Sequence, residues 1–280
     1  MIHSNVIIIK RLFFNFDVIY KYLTQMRLIL IVSFLAFLCI CACKSDPTKT
    51  PIQKTSSSKT KSSLTAEETE KKGFTLLTTD PPAAIPYFAD AGNKYLESGE
   101  NAKAAIAFAN AAGVYSKNLN DSRNALVYAN KALNQWRSLN DKIQIANQLK
   151  DIGLYNGEEG NFELGKKQLN EAMGYFTERK AQNGVAECKM NLAKIARLEG
   201  NLVLAESLYL ESNDIWRKTG MKTKLFTNNL FAMRLYRQMG DEKKLKAAYD
   251  ITMALKDQIK MFPKYEQELA KTLLEVKVMQ

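Results

Sequence analysis

A glycine followed by Asn or Asp recurs at Gly160-Asn161, Gly200-Asn201 and Gly240-Asp241, an interval of forty residues. Each pair separates two stretches with helical hydrophobic spacing. Glycine adopts the left-handed conformation that ends a helix without a Cβ clash, and the Asn or Asp after it can cap the next helix by accepting from its free N–H groups. Each pair is therefore a tight turn between two helices. One step earlier stands Asn120-Asp121, with Asn as the next best residue for that backbone geometry. A helix pair of this size cannot bury its apolar face alone, so a chain with this period must stack its units into a solenoid.

Other positions keep the same register. Before the turns stand the small residues Gly113, Gly153 and Ala193; after them come Ala125, Gly165 and Ala205, then Ala132, Ala172 and Ser212, and near the end of the second helix Trp136, Phe176 and Trp216. Small residues at the crossing let two helices approach, and the large aromatic fills the space beyond it. The last unit departs from this pattern, with Met233, Leu245, Thr252 and Lys256 at the corresponding positions, which makes it a degenerate repeat. The spacing predicts helices over 86–97, 102–117, 122–139, 142–156, 162–179, 184–198, 202–218, 222–239, 242–261 and 265–276, with no strand. The first is expected as an unpaired starter and the last as a cap over the open end of the stack.

Two units carry a family resemblance. Asn191-Leu192-Ala193 with Gly200-Asn201, Ala205, Tyr209 and Ser212, and Ile152-Gly153 with Gly160-Asn161, Gly165, Leu169 and Ala172, resemble the tetratricopeptide repeat (TPR) family in its forty-residue form, over residues 81–280. The resemblance implies an all-α, right-handed superhelical solenoid of antiparallel helix pairs, whose first helices line a concave groove. It brings to that groove Asn147, Lys150, Glu187, Met190, Lys194, Arg197, Thr227, Leu230, Arg234 and Arg237. The period aligns Lys194 with Arg234 and Arg197 with Arg237, four cations suited to an acidic protein segment, a peptide or a chain-terminal carboxylate. Met190 and Leu230 are the apolar anchors such a partner needs. A solvated basic face is the competing account. A groove for a glycan or small anion is an alternative, with Tyr155 and Tyr236 as candidate aromatics, and the repeats also resemble those of peptide-sensing regulators.

The amino terminus has a separate logic. Met26-Arg27, an apolar run from Leu28 to Leu38 and then Cys39-Ile40-Cys41-Ala42-Cys43 form a basic, apolar and small-residue succession typical of an export signal, and too short for a good spanning helix. Ile40-Cys41-Ala42-Cys43 resembles the bacterial lipobox, which implies a signal peptide over 26–42 and a covalent lipid on Cys43, the first mature residue. Two or three acyl chains at about 0.8 kcal/mol per buried CH₂ hold a protein on its bilayer. An uncleaved helical anchor is the alternative. Residues 43–80 read as the acylated cysteine and a flexible tether, rich in Ser, Thr and Lys, within which Thr65 and Glu68 are spaced as a capping box for a short helix over 65–72. Residues 1–25 fit neither part and suggest a start at Met26, or an extra segment. The expected location is the cell envelope, with the periplasmic face of an outer membrane favoured over the inner membrane.

Loss of 1–42 would remove His3, Cys39 and Cys41, the only histidine and two of four cysteines. A Ser-His-Asp or Cys-His nucleophile and a His/Cys metal site then cannot be assembled, and Cys188 reads as a small core residue. Gly153, Gly157 and Gly160 lack the preceding strand and the Lys-Ser/Thr of a phosphate loop. The expectation is a non-enzyme with no cofactor beyond the lipid on Cys43. The formal charge of +11 falls to +8 once the three net positive charges of residues 1–42 are removed. Five lysines of the tether supply much of the remainder, so no nucleic-acid partner is expected.

Overall fold

Left-handed residues punctuate the chain at Asn120, Asn140, Gly160, Lys180, Gly200, Gly220 and Gly240, an interval of twenty. At Asp141, Asn161, Ala181, Asn201, Met221 and Asp241, just after six of the seven, the amide donates to the carbonyl five residues back, over 2.8 to 3.2 Å, whereas after Asn120 the Asp121 amide reaches six back, to Tyr115 at 3.0 Å. The five-back bond closes those six helices with a Schellman turn. The forty-residue beat of the sequence is therefore two turns of twenty, and the turns at Asn140 and Lys180 carry no glycine to announce them.

The computed structural model describes residues 64–276. These form eleven helices and no strand: α1 (Ala66–Leu76), α2 (Pro81–Glu97), α3 (Asn101–Leu119), α4 (Ser122–Ser138), α5 (Lys142–Glu158), α6 (Phe162–Glu178), α7 (Gln182–Leu198), α8 (Leu202–Lys218), α9 (Lys222–Met239), α10 (Glu242–Lys256) and α11 (Pro263–Val276). Helices α3/α4, α5/α6, α7/α8 and α9/α10 are the paired units, and consecutive pairs meet through α4 with α5, α6 with α7 and α8 with α9, with α5 also packing on α7. The architecture is the all-α solenoid expected from the repeats. Asp121, Asp141, Asn201 and Asp241 cap the helices that follow them through their side chains; Asn161 does not, and its amide group faces Asn156 instead.

The crossings follow the small residues. A Cβ on Gly153 would stand 2.9 Å from the carbonyl oxygen of Gly165, and one on Gly157 would press into Ile195, so these glycines are packing residues. Ala193 and Ala205 are fully buried, as are Ala132 and Ala172, and Trp136, Phe176 and Trp216 are 7, 3 and 2 % exposed. Burying one such aromatic contributes on the order of 2–3 kcal/mol. Gly113 is the exception, with nothing within 4 Å of a Cβ built on it; no helix closes on it, and it faces a cavity. In the last unit Met233, Leu245 and Thr252 are buried while Lys256 is exposed, so α10 keeps its inner face without an aromatic at the end.

Three boundaries differ from the sequence reading. Helix α2 begins at Pro81, capped by Asp80, and runs through Pro86; the Pro81-Pro82 start satisfies the rule that proline suits a first turn. Helix α2 is also not an unpaired starter. Helix α1 packs on it through an edge-to-face contact of Phe74 with Phe88 at 5.1 Å, a 2.9 Å hydrogen bond from Tyr95 Oη to Glu70 and one of 2.9 Å from Lys94 Nζ to the Leu64 carbonyl. The capping box of Thr65 and Glu68 is present in both arms. The segment 65–76 is thus part of the helical body and not tether. Helix α10 ends at Lys256, short of Met261, and after a break α11 packs on α9. Cys43, the signal segment 26–42, residues 1–25 and the tether up to 63 lie outside the described residues.

Candidate functional site on the concave face

Helices α5, α7 and α9, the first of their pairs, carry the predicted groove residues, and one ionic rail joins all three. Lys150 of α5 donates to Glu187 of α7 at 2.6 Å, and Lys224 of α9 donates to the other oxygen of the same carboxylate at 2.5 Å. Burial alone would raise the Glu187 carboxyl, but the two ammonium groups outweigh it and hold its pKa below the ordinary value. The same balance leaves the Lys150 amine raised, burial being overcome by Asp151 and Glu187. Lys150 and Glu187 therefore neutralise one another, and with Lys224 they tie three repeats together. Half-buried Asn147 donates to Gln144 at 3.3 Å on its own helix.

One turn further along, the balance changes sign. Lys194 and Arg197 of α7 and Arg234 of α9 line a cavity of about 330 Å³ with Met190, Thr227, Asn228, Phe231 and Glu268. The Lys194 amine has one hydrogen-bond partner among the described residues, Asn191 at 3.4 Å, and the carboxylates of Glu158 and Glu268 act on it only at longer range. Burial pulls its pKa down. Arg197 reaches Gln238 at 3.2 Å and lies 5.9 Å from the Phe231 ring, but its Nε is buried without a partner. Burial, and after it the charge of Arg234, depress its pKa. Asn228, 1 % exposed, donates to Ser212 and Asn213, and its Oδ1 has no partner. A carboxylate entering here would give the cations the charge-assisted hydrogen bonds they lack, worth about 1.5–3 kcal/mol each.

The two apolar anchors expected in the groove do not both reach it. Leu230 is 1 % exposed and belongs to the core. Met190, 7 % exposed, forms part of the cavity wall. Phe231, one residue from the expected anchor, is the aromatic that faces the cations.

Arg234 and Arg237 are engaged by α11. Arg234 pairs with Glu268 at 2.8 Å and with Glu275; Arg237 donates from Nε to the Val276 carbonyl at 2.6 Å and pairs with Glu242. Helix α11 does not extend the row of repeats. Its residues Lys264, Tyr265, Gln267, Glu268 and Lys271 face Asn110, Gly113 and Lys117 of α3 across a second cavity of about 880 Å³, which shares Thr227 and Glu268 with the first. Asn110 Nδ2 is also buried without a partner. Glu268 and the α11 lysines were not among the sequence candidates, because nothing in the repeat register indicates that the last helix turns back toward the groove.

A stack of helix pairs presenting a continuous concave face with titratable groups arranged across repeats is a TPR-type helical-repeat scaffold. More narrowly, residues 77–276 match the family model described as soluble NSF attachment protein, SNAP, and the chain belongs to that family. No curated protein matches it in sequence. Among solved structures, the aspartyl phosphate phosphatase F of Bacillus subtilis has a similar fold, with a TM-score of 0.61 and 13 % identity over 76 % of this chain. The chain spans about half of that protein, 54 % of its length. BtubC (BKLC) of P. vanneervenii aligns with a TM-score of 0.48 at 14 % identity, covering 71 % of this chain and 92 % of that one. Among the described residues no helix is long and apolar enough to cross a membrane.

Proposed function

We propose that this protein is a non-catalytic scaffold, lipid-anchored through Cys43 in a bacterial cell envelope, whose concave face binds a protein or peptide through an acidic segment. One observation carries the reading. Lys194 and Arg197 line an open cavity and, among the described residues, neither forms an ion pair with a carboxylate, and a desolvated, under-partnered cation stabilises the complex only when a partner brings the missing acceptor. Membership in the SNAP family and the TPR-like fold support a protein-interaction role. The lipid anchor rests on the succession Ile40-Cys41-Ala42-Cys43 after a basic and apolar leader. The periplasmic face of an outer membrane is the proposed location.

Two experiments test this. Crosslinking in intact cells followed by mass spectrometry should lose specific partners in a Lys194→Gln/Arg197→Gln chain relative to wild type; an unchanged partner set defeats the groove assignment. A Cys43→Ala chain should fail lipid processing and leave the membrane fraction. Its normal processing and partitioning would remove the lipoprotein assignment.

A further inference from the structure

We propose that α11 is a resident ligand of the concave face, and that the partner of this face is an acidic amphipathic helix that takes its place. The proposal rests on the reading of the concave face as a partner site and adds what occupies that site beforehand.

Helix α11 is attached to the groove in the way a bound helical peptide would be. It buries Leu269, Thr272 and Val276, with Tyr265 half-buried before them, a single stripe at helical spacing. Leu273 and Glu268 flank the stripe half-buried, and most of the rest is exposed, including Leu274 at 77 % exposure. Beside the stripe, Glu268 and Glu275, two turns apart, converge on Arg234, and the Tyr265 ring meets Phe226 edge-on at 6.2 Å. The segment 257–262 separates this helix from α10, and its packing partner is the groove helix α9.

The fit is incomplete in a specific place. Carboxylates of α11 pair directly with Arg234, while Lys194 and Arg197 one repeat away feel Glu268 and Glu275 only at longer range and form no ion pair with them, and the cavity between the two levels remains open. A helix with the same apolar stripe and carboxylates for both levels would satisfy what α11 leaves unsatisfied. Because α11 is tethered and the partner is not, the partner must offer that additional complementarity to compete. Occupancy by α11 then sets a threshold: weakly acidic segments are kept out, and the buried stripe of the groove is covered until the right helix arrives.

The test uses the chain's own segment as probe. A fluorescent synthetic peptide of residues 261–276 is titrated by anisotropy against full-length wild type and against a Glu268→Lys/Glu275→Lys chain. Amide exchange is followed in both proteins. In the variant, α11 should exchange faster with α5 to α8 unchanged, and the peptide should bind ~10-fold or more tightly than to wild type, whose competent state is only a minor population. Adding Arg234→Ala to the variant should abolish that gain. If the lysine pair disturbs helices beyond α11, the Glu268→Gln/Glu275→Gln chain is used with the same criteria. Unchanged exchange in α11, or equal peptide binding by wild type and variant, overturns the proposal. The partner-site reading fails separately: crosslinked partners would then be indifferent to Lys194→Gln/Arg197→Gln although the peptide behaves as expected.

Discussion

A methyl group on Gly165 would stand 2.6 Å from the carbonyl oxygen of Gly153, so α5 and α6 cross with backbone against backbone. That separation is closer than any residue with a Cβ permits. It is the tightest expression of a rule that the neighbouring units meet with alanine, at Ala193 and Ala205 in α7 and α8.

The first prediction contrasts two glycines forty residues apart. Gly153→Ala and Gly165→Ala force the helices apart and should each destabilise the protein by about 1–3 kcal/mol, the usual cost of overpacking. Gly113→Ala meets nothing within 4 Å and should stabilise by ~0.5–1 kcal/mol through helix propensity and a less flexible unfolded chain. Chemical denaturation of the three variants checks this, and the same sign at positions 113 and 153 would contradict it.

Lys180 holds a left-handed conformation at φ 54° where the turns at 160 and 200 have glycine. A side chain there costs about 1–2 kcal/mol, partly offset by the greater freedom glycine has when unfolded. Lys180→Gly should therefore raise stability by ~0.5–1 kcal/mol, and thermal unfolding should shift upward by about 2–4 °C per kcal/mol for a domain of this size. Gly200→Ala, placing a side chain at φ 82°, should move it in the opposite direction.

The Lys150–Glu187–Lys224 rail predicts a pH dependence with a defined sign. The Glu187 pKa is depressed in the folded protein. Its contribution is thus fully present above the unfolded value, about 4.3, and lost as pH falls through the lower folded value. Glu187→Gln should cost about 1–2 kcal/mol at pH 7, since the rail is only partly buried. That difference from wild type should shrink as pH is lowered below 4. Denaturant titrations of both proteins from pH 7 to pH 3 measure it; a gap independent of pH would mean that the carboxylate charge is not what holds the rail.

The repeat register was legible because it is written in backbone requirements. Gly160, Gly200 and Gly240 are glycines since each turn needs a positive φ, and Asn120 substitutes for the same reason at φ 54°. The turns at Asn140 and Lys180 use the same geometry; the helix spacing placed breaks there, but without a glycine nothing marked their left-handed residue, and Lys180 holds a conformation its side chain does not favour. The pairing of α1 with α2 was hidden in a segment whose composition resembles a linker. What binds it is Phe74 against Phe88 and two hydrogen bonds from α2, Lys94 to the Leu64 carbonyl just before α1 and Tyr95 to Glu70 within it.

The sequence alone determined that the described chain would be an all-α solenoid, which residues turn and which aromatics fill the crossings, because helix periodicity and caps act over a few residues. It also marked Lys194, Arg197, Arg234 and Arg237 as one set of cations. Only the tertiary structure decided which of them are satisfied. The charges of Lys150 and Glu187 cancel across repeats, Leu230 turns into the core, and α11 folds back onto α9 to supply Arg234 with carboxylates. Those outcomes depend on the curvature of the stack and on where a non-repeating helix finds complementary surface, and both are sums over contacts between residues far apart in the chain.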